Sequence, residues 1–129
     1  MFLSGYLSKP SDYTALMQRL ASWGVTTAQP AERGWLSVPQ QTALFATAPA
    51  WLAAQAVNGS SPLSGRVDAA RLAVGGYSRG GKIAAQLCAS QADAFAACYL
   101  IGALQWGRDS GGGGGVGGPS KRGPGCCIA

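Results

Sequence analysis

A chain of 129 residues gives room for one small domain, and its hydrophobic fraction of 47% supplies the material for a core. The net charge of +5 comes from ten lysines and arginines against five carboxylates, scattered without a run or a helical stripe, so it reads as a mildly basic solvated surface and argues against nucleic acid as a partner. No apolar run approaches a membrane span, the N-terminus lacks the features of a secretory signal or transit peptide, and four cysteines with no Cys-x-x-Cys pair and no histidine offer neither a zinc site nor a reason to expect a cofactor.

Met1-Phe2-Leu3 reads as the middle of a strand and runs into a loop at Ser4-Gly5-Tyr6. Ser11 can cap a helix, with Asp12 at its positive end; Tyr13, Leu16, Met17 and Leu20 then recur on one helical face until Trp23-Gly24. Val25-Thr26-Thr27-Ala28 is β-branched and predicts a second strand before Pro30. Residues 30–39 read as a loop. From Gln40 to Val57 the residues favour helix, with Pro49 kinking it or splitting it in two. Asn58 to Pro62 is a turn.

Arg71 to Gly76 predicts a short buried strand, a helix follows from about Arg79 to Ala92, and Phe95 to Ile101 is a fourth apolar strand. Strands alternating with helices argue for an α/β fold with parallel strands joined by crossover helices. Cys88 and Cys98 lie in alanine-rich surroundings and are expected as free buried thiols, so nothing demands an oxidising compartment. After Asp109 the composition turns to Gly, Ser and Pro, which cannot bury enough apolar surface to offset its ordering entropy. Residues 1–109 are therefore expected as the core and 110–129 as a flexible Gly-rich tail.

Gly76-Tyr77-Ser78-Arg79-Gly80 is a Gly-x-Ser-x-Gly motif placed between a predicted strand and a predicted helix, the context a nucleophile elbow requires. The tight turn would present the Ser78 hydroxyl at the C-terminal edge of the sheet, with the positive end of the next helix directed at a developing oxyanion. Ser4-Gly5-Tyr6 lies at the C-terminal end of the first strand. It is either a plain strand-to-loop turn or the second oxyanion donor, through the backbone N–H of Tyr6 paired with that of Arg79.

Leu72 to Lys82, with Ser78-Arg79-Gly80-Gly81-Lys82 at its centre, resembles the elbow of chlorophyllases and is similar to that of bacterial polyester hydrolases and dienelactone-hydrolase-like enzymes. Gly65 to Leu72 resembles the segment leading into that strand, Phe2 to Tyr6 the oxyanion strand, and Tyr13 to Gln29 the next helix and strand. The resemblance covers about residues 1–106. It implies part of an α/β-hydrolase three-layer sandwich of about four parallel strands, in the order second, first, third, fourth. It implies a carboxylic ester hydrolase acting on a small hydrophobic ester through an acyl-enzyme on Ser78, with Tyr6 and Arg79 as backbone oxyanion donors. A plastid or cytoplasmic location follows from the resemblance alone.

The chain departs from that pattern. Tyr77 and Ser4 stand where histidines are usual, although neither is a triad position. The triad histidine is absent. Asp109 is the only carboxylate near the expected acid position, and it is either that acid or a solvated loop residue. Truncation at both ends is the expectation that accounts for these absences. Two other readings stay open: an α/β-hydrolase-like protein that binds a hydrophobic ligand without hydrolysis, and an adaptor tethered to a membrane. The second rests on Cys126-Cys127-Ile128-Ala129, which fits the prenylation pattern at Cys126; without prenylation no membrane contact is expected.

Overall fold

The computed structural model describes residues 1–30 and 35–102. The elements are β1 (Phe2–Leu3), α1 (Thr14–Ala21), α2 (Val38–Phe45), α3 (Ala48–Val57), β2 (Ala73–Tyr77), α4 (Arg79–Ser90) and β3 (Ala97–Ile101), with short 3₁₀ turns at Pro10–Tyr13 and Ala92–Ala94. All three strands are parallel, in the order β1-β2-β3. The chain is thus a partial α/β fold built on a small parallel sheet.

The register explains the packing. Phe2, Gly75 and Tyr99 form one row across the sheet, and Leu3, Gly76 and Leu100 the next. Side chains alternate between faces along a strand, so the two rows point to opposite sides. On one side Phe2 and Tyr99 stack across Gly75 with ring centroids 6.2 Å apart, and Tyr13 leans on Phe2 at 4.8 Å. On the other side lies α4, whose Ile83, Ala84 and Leu87 close the core with Leu3, Val74, Phe45 and Phe95. The middle strand β2 is buried through Val74, Gly75 and Gly76, as a strand covered on both faces should be.

Four expectations are corrected. Val25 to Ala28 is not a strand. It runs beside β1 on the side away from β2 but makes one ladder-like bond, Phe2 N–H to the Ala28 carbonyl at 2.9 Å; β1 is only two residues long and offers little more. The described sheet therefore has three strands rather than four, and β1, β2 and β3 keep the expected relative order.

Ser11 does not cap α1. Pro10 opens a 3₁₀ turn instead, and the Asp12 carboxylate accepts the Lys9 N–H at 2.8 Å. The expected loop at 30–39 ends early, because Ser37 and Gln40 form a reciprocal capping box and Pro39 sits in the first turn of α2, where its missing N–H costs nothing. Cys88 and Cys98 are not free thiols. α4 lies along β3 so that their Cα atoms are 6.5 Å apart, within disulfide range, and they are bonded to each other.

The helical stretch from Gln40 to Val57 does divide in two, with Ala46 and Thr47 at the break and Pro49 in the first turn of α3. The Gly-rich tail, Asp109 and Cys126 lie outside the described residues.

Candidate functional site

β2 ends at Tyr77 and α4 begins at Arg79, so Ser78 is the whole of the connection. A reversal that tight forces an unusual backbone. Ser78 has φ 51° and ψ −113°, and among the described residues only one other non-glycine, Leu7, has a positive φ. L-residues avoid this region because Cβ crowds the neighbouring carbonyl. Two bonds hold Ser78 there: its N–H donates to the Ile101 carbonyl at the end of β3 (3.0 Å), and its carbonyl accepts the Lys82 N–H in the first turn of α4 (3.1 Å).

The two motif glycines make the turn possible by absence of bulk. A Cβ on Gly76 would sit 2.5 Å from the Gly80 carbonyl carbon and 2.6 Å from the Leu3 carbonyl oxygen. A Cβ on Gly80 would strike the same Leu3 carbonyl and that of Ser4. The elbow, the first turn of α4 and the end of β1 are therefore in backbone contact, which no larger residue allows at either position.

Ser78 is exposed, and although it occupies the N-cap position its hydroxyl makes no capping bond. The first turn of α4 carries no acidic residue, and it contributes Arg79 and Lys82 to the positive end of the helix dipole. The local field thus favours negative charge beside the Ser78 oxygen.

The second predicted element lies alongside. After β1, the Gly5 N–H donates to the Tyr13 phenol oxygen (3.2 Å), and the Ser8 N–H donates to the Gly5 carbonyl (3.2 Å). The buried Ser4 hydroxyl accepts from the Gln29 amide at 3.1 Å. Tyr6 follows, and the Arg79 guanidinium lies 5.2 Å from its ring centroid. The structure therefore brings Ser78, Arg79 and Tyr6 to one end of the sheet.

Tyr77 was not singled out from the sequence beyond its departure from a usual histidine. Its ring packs over Gly5 and reaches toward Gly102, with its centroid 6.3 Å from that of Tyr13. The motif marks its position, but nothing in the sequence says which loops it covers.

The described carboxylates are engaged elsewhere. Asp12 accepts from Lys9 N–H, and Asp93 lies in the turn beyond the far end of the twelve-residue α4. Asp68 pairs with Arg71 at 2.6 Å, a bond that, with the Ala70 N–H, holds its carboxyl below the ordinary value. A mostly apolar cleft of about 650 Å³ is lined by Met1, Phe2, Leu20 and Trp51 among others, with Arg66 and Asp68 as charged members of its wall. It opens at the N-terminal ends of β1 and β2, and Ser78 is not in its lining.

No family model matches this chain, and no curated protein matches it.

Proposed function

We propose that Ser78 is the nucleophile of a serine ester hydrolase of the chlorophyllase-like type, with the backbone N–H groups of Tyr6 and Arg79 as its oxyanion donors. The observation that carries this reading is the Ser78 backbone itself. A serine held at φ 51° between a parallel strand and the helix that follows, with glycines on both sides in van der Waals conflict with any side chain, is the arrangement of a nucleophile elbow. The exposed rings and aliphatic groups of Tyr6, Leu7, Tyr77 and Ile101 at the same end of the sheet suit a hydrophobic ester.

In the first step the Ser78 oxygen bonds to the ester carbonyl carbon and gives its proton to a base, and the carbonyl electrons move onto the oxygen between the two N–H donors. Collapse of this oxyanion expels the alcohol, which takes the proton, and leaves an acyl group on Ser78; water then releases the acid by the same path. The 129 residues contain no histidine, so the base is not a histidine within them.

The test is hydrolysis of a p-nitrophenyl acyl ester by the native protein isolated from its source and by its Ser78→Ala variant. The variant is expected to lose roughly 10⁴-fold or more in kcat. Turnover undiminished by the substitution sinks the proposal. Intact mass measured on the same preparation shows whether the native polypeptide exceeds the 13.0 kDa of these residues and so has further residues that could supply a histidine.

The missing histidine favours a second reading, a protein that keeps the fold and binds a hydrophobic ester without cleaving it. Saturable binding of the ester with no release of alcohol is the outcome that selects it.

A further inference from the structure

We propose that the Arg79 side chain is a positioning residue that fixes the backbone of Tyr6 against the elbow, so that one side chain sets the spacing of both oxyanion donors. The inference rests on the reading of Ser78, Tyr6 and Arg79 given above.

Arg79 is the first residue of α4 and follows Ser78 directly. Its guanidinium lies over the Tyr6 ring at 5.2 Å, and its Nη2 donates to the Leu36 carbonyl in the segment before α2. One side chain therefore joins three stretches of chain: the elbow helix, the loop after β1, and the entry to α2.

The two contacts differ in rigidity, and that difference says which partner is being positioned. The Leu36 carbonyl also accepts from the amide of Gln41, a residue only 3% exposed, at 3.2 Å. α2 is tied in turn to α4 by a bond between the Thr42 hydroxyl and the Gln86 side chain at 2.7 Å. Leu36 is thus an anchor. Tyr6, 57% exposed, sits in a loop whose next residue, Leu7, has φ 61°. Hydrogen bonds fix Gly5 and Ser8 on either side of it. At Tyr6 the ring–guanidinium contact ties the loop to the elbow.

An arginine suits this task and a lysine does so in part. The flat guanidinium offers its face to a ring while its in-plane N–H groups bond a carbonyl, whereas an ammonium on a flexible stem satisfies one partner at a time.

Amide hydrogen exchange on the full chain tests the proposal. Arg79→Gln and Tyr6→Leu are expected to speed exchange at Ser8, whose N–H donates to the Gly5 carbonyl across Tyr6, by roughly two- to fivefold, while Tyr6→Phe keeps the protection of the parent and the β2 amides Val74 to Tyr77 are unmoved in all three. In ester turnover by the native protein, Arg79→Gln lowers kcat with KM unchanged, and Arg79→Lys recovers part of the loss. Parental exchange at Ser8 in Arg79→Gln, or a rise shared equally by β2, overturns the proposal, as does a fall in kcat matched by a rise in KM. If the exchange pattern holds but no ester is turned over by the parent, the clamp stands and the esterase reading falls.

Discussion

Ser78 holds a backbone conformation that costs an L-residue about 1–3 kcal/mol, and it does so because the Ile101 carbonyl and the first turn of α4 leave it no alternative. A glycine adopts the same conformation without steric cost, although it loses about 0.5–1 kcal/mol more entropy on folding. The balance predicts that Ser78→Gly is more stable than Ser78→Ala by about 1 kcal/mol, read as a higher urea midpoint with an unchanged slope. A Ser78→Gly variant less stable than Ser78→Ala would show that the turn is not strained. The same strain made the site legible in the sequence. Gly76 and Gly80 flank Ser78 because only glycine fits there, and that requirement appears directly as letters. The meeting of Arg79 with Tyr6 left no such trace. Those residues are 73 positions apart, and their contact depends on how the loop after β1 folds back, which no local pattern encodes.

The helix α4 was legible for a different reason: Ala84, Leu87, Cys88 and Gln91 recur at helical spacing, and the strands on either side of it are short apolar runs. The segment 25–28 misled because β-branched residues satisfy strand propensity without supplying a partner. Propensity is settled by pairing, and a two-residue β1 has little edge to pair with. The Cys88–Cys98 bond was hidden too, since sequence shows two cysteines in apolar surroundings but not the alignment of α4 on β3. That bond closes a short loop, with a sequence separation of 10, and constrains the unfolded chain by about 3 kcal/mol on a loop-entropy estimate. Reduction with dithiothreitol is therefore expected to lower the urea midpoint of the parent and to leave a Cys88→Ala, Cys98→Ala double variant unmoved. A parent midpoint indifferent to the reductant would mean that α4 and β3 need no covalent tie.

Across the whole molecule the sheet separates two environments along its strands. The C-terminal end carries Ser78, Arg79 and Tyr6, and the N-terminal end opens into the mostly apolar cleft. Tyr99 stacks on Phe2 across the middle strand and, like Phe2, lines that cleft. Burial raises its phenol above the ordinary value of 10.0. The folded state therefore holds the Tyr99 proton where the unfolded chain releases it, and stability falls with rising pH wherever the folded state binds more protons. The contribution of Tyr99 is complete below pH 10 and is lost as pH climbs through the raised folded value. Urea midpoints measured from pH 8 to pH 11 should decline at the alkaline end in the parent, and less steeply in Tyr99→Phe, which keeps the ring against Phe2 and removes the titrating oxygen. Equal alkaline slopes for the two proteins would place the Tyr99 hydroxyl in water.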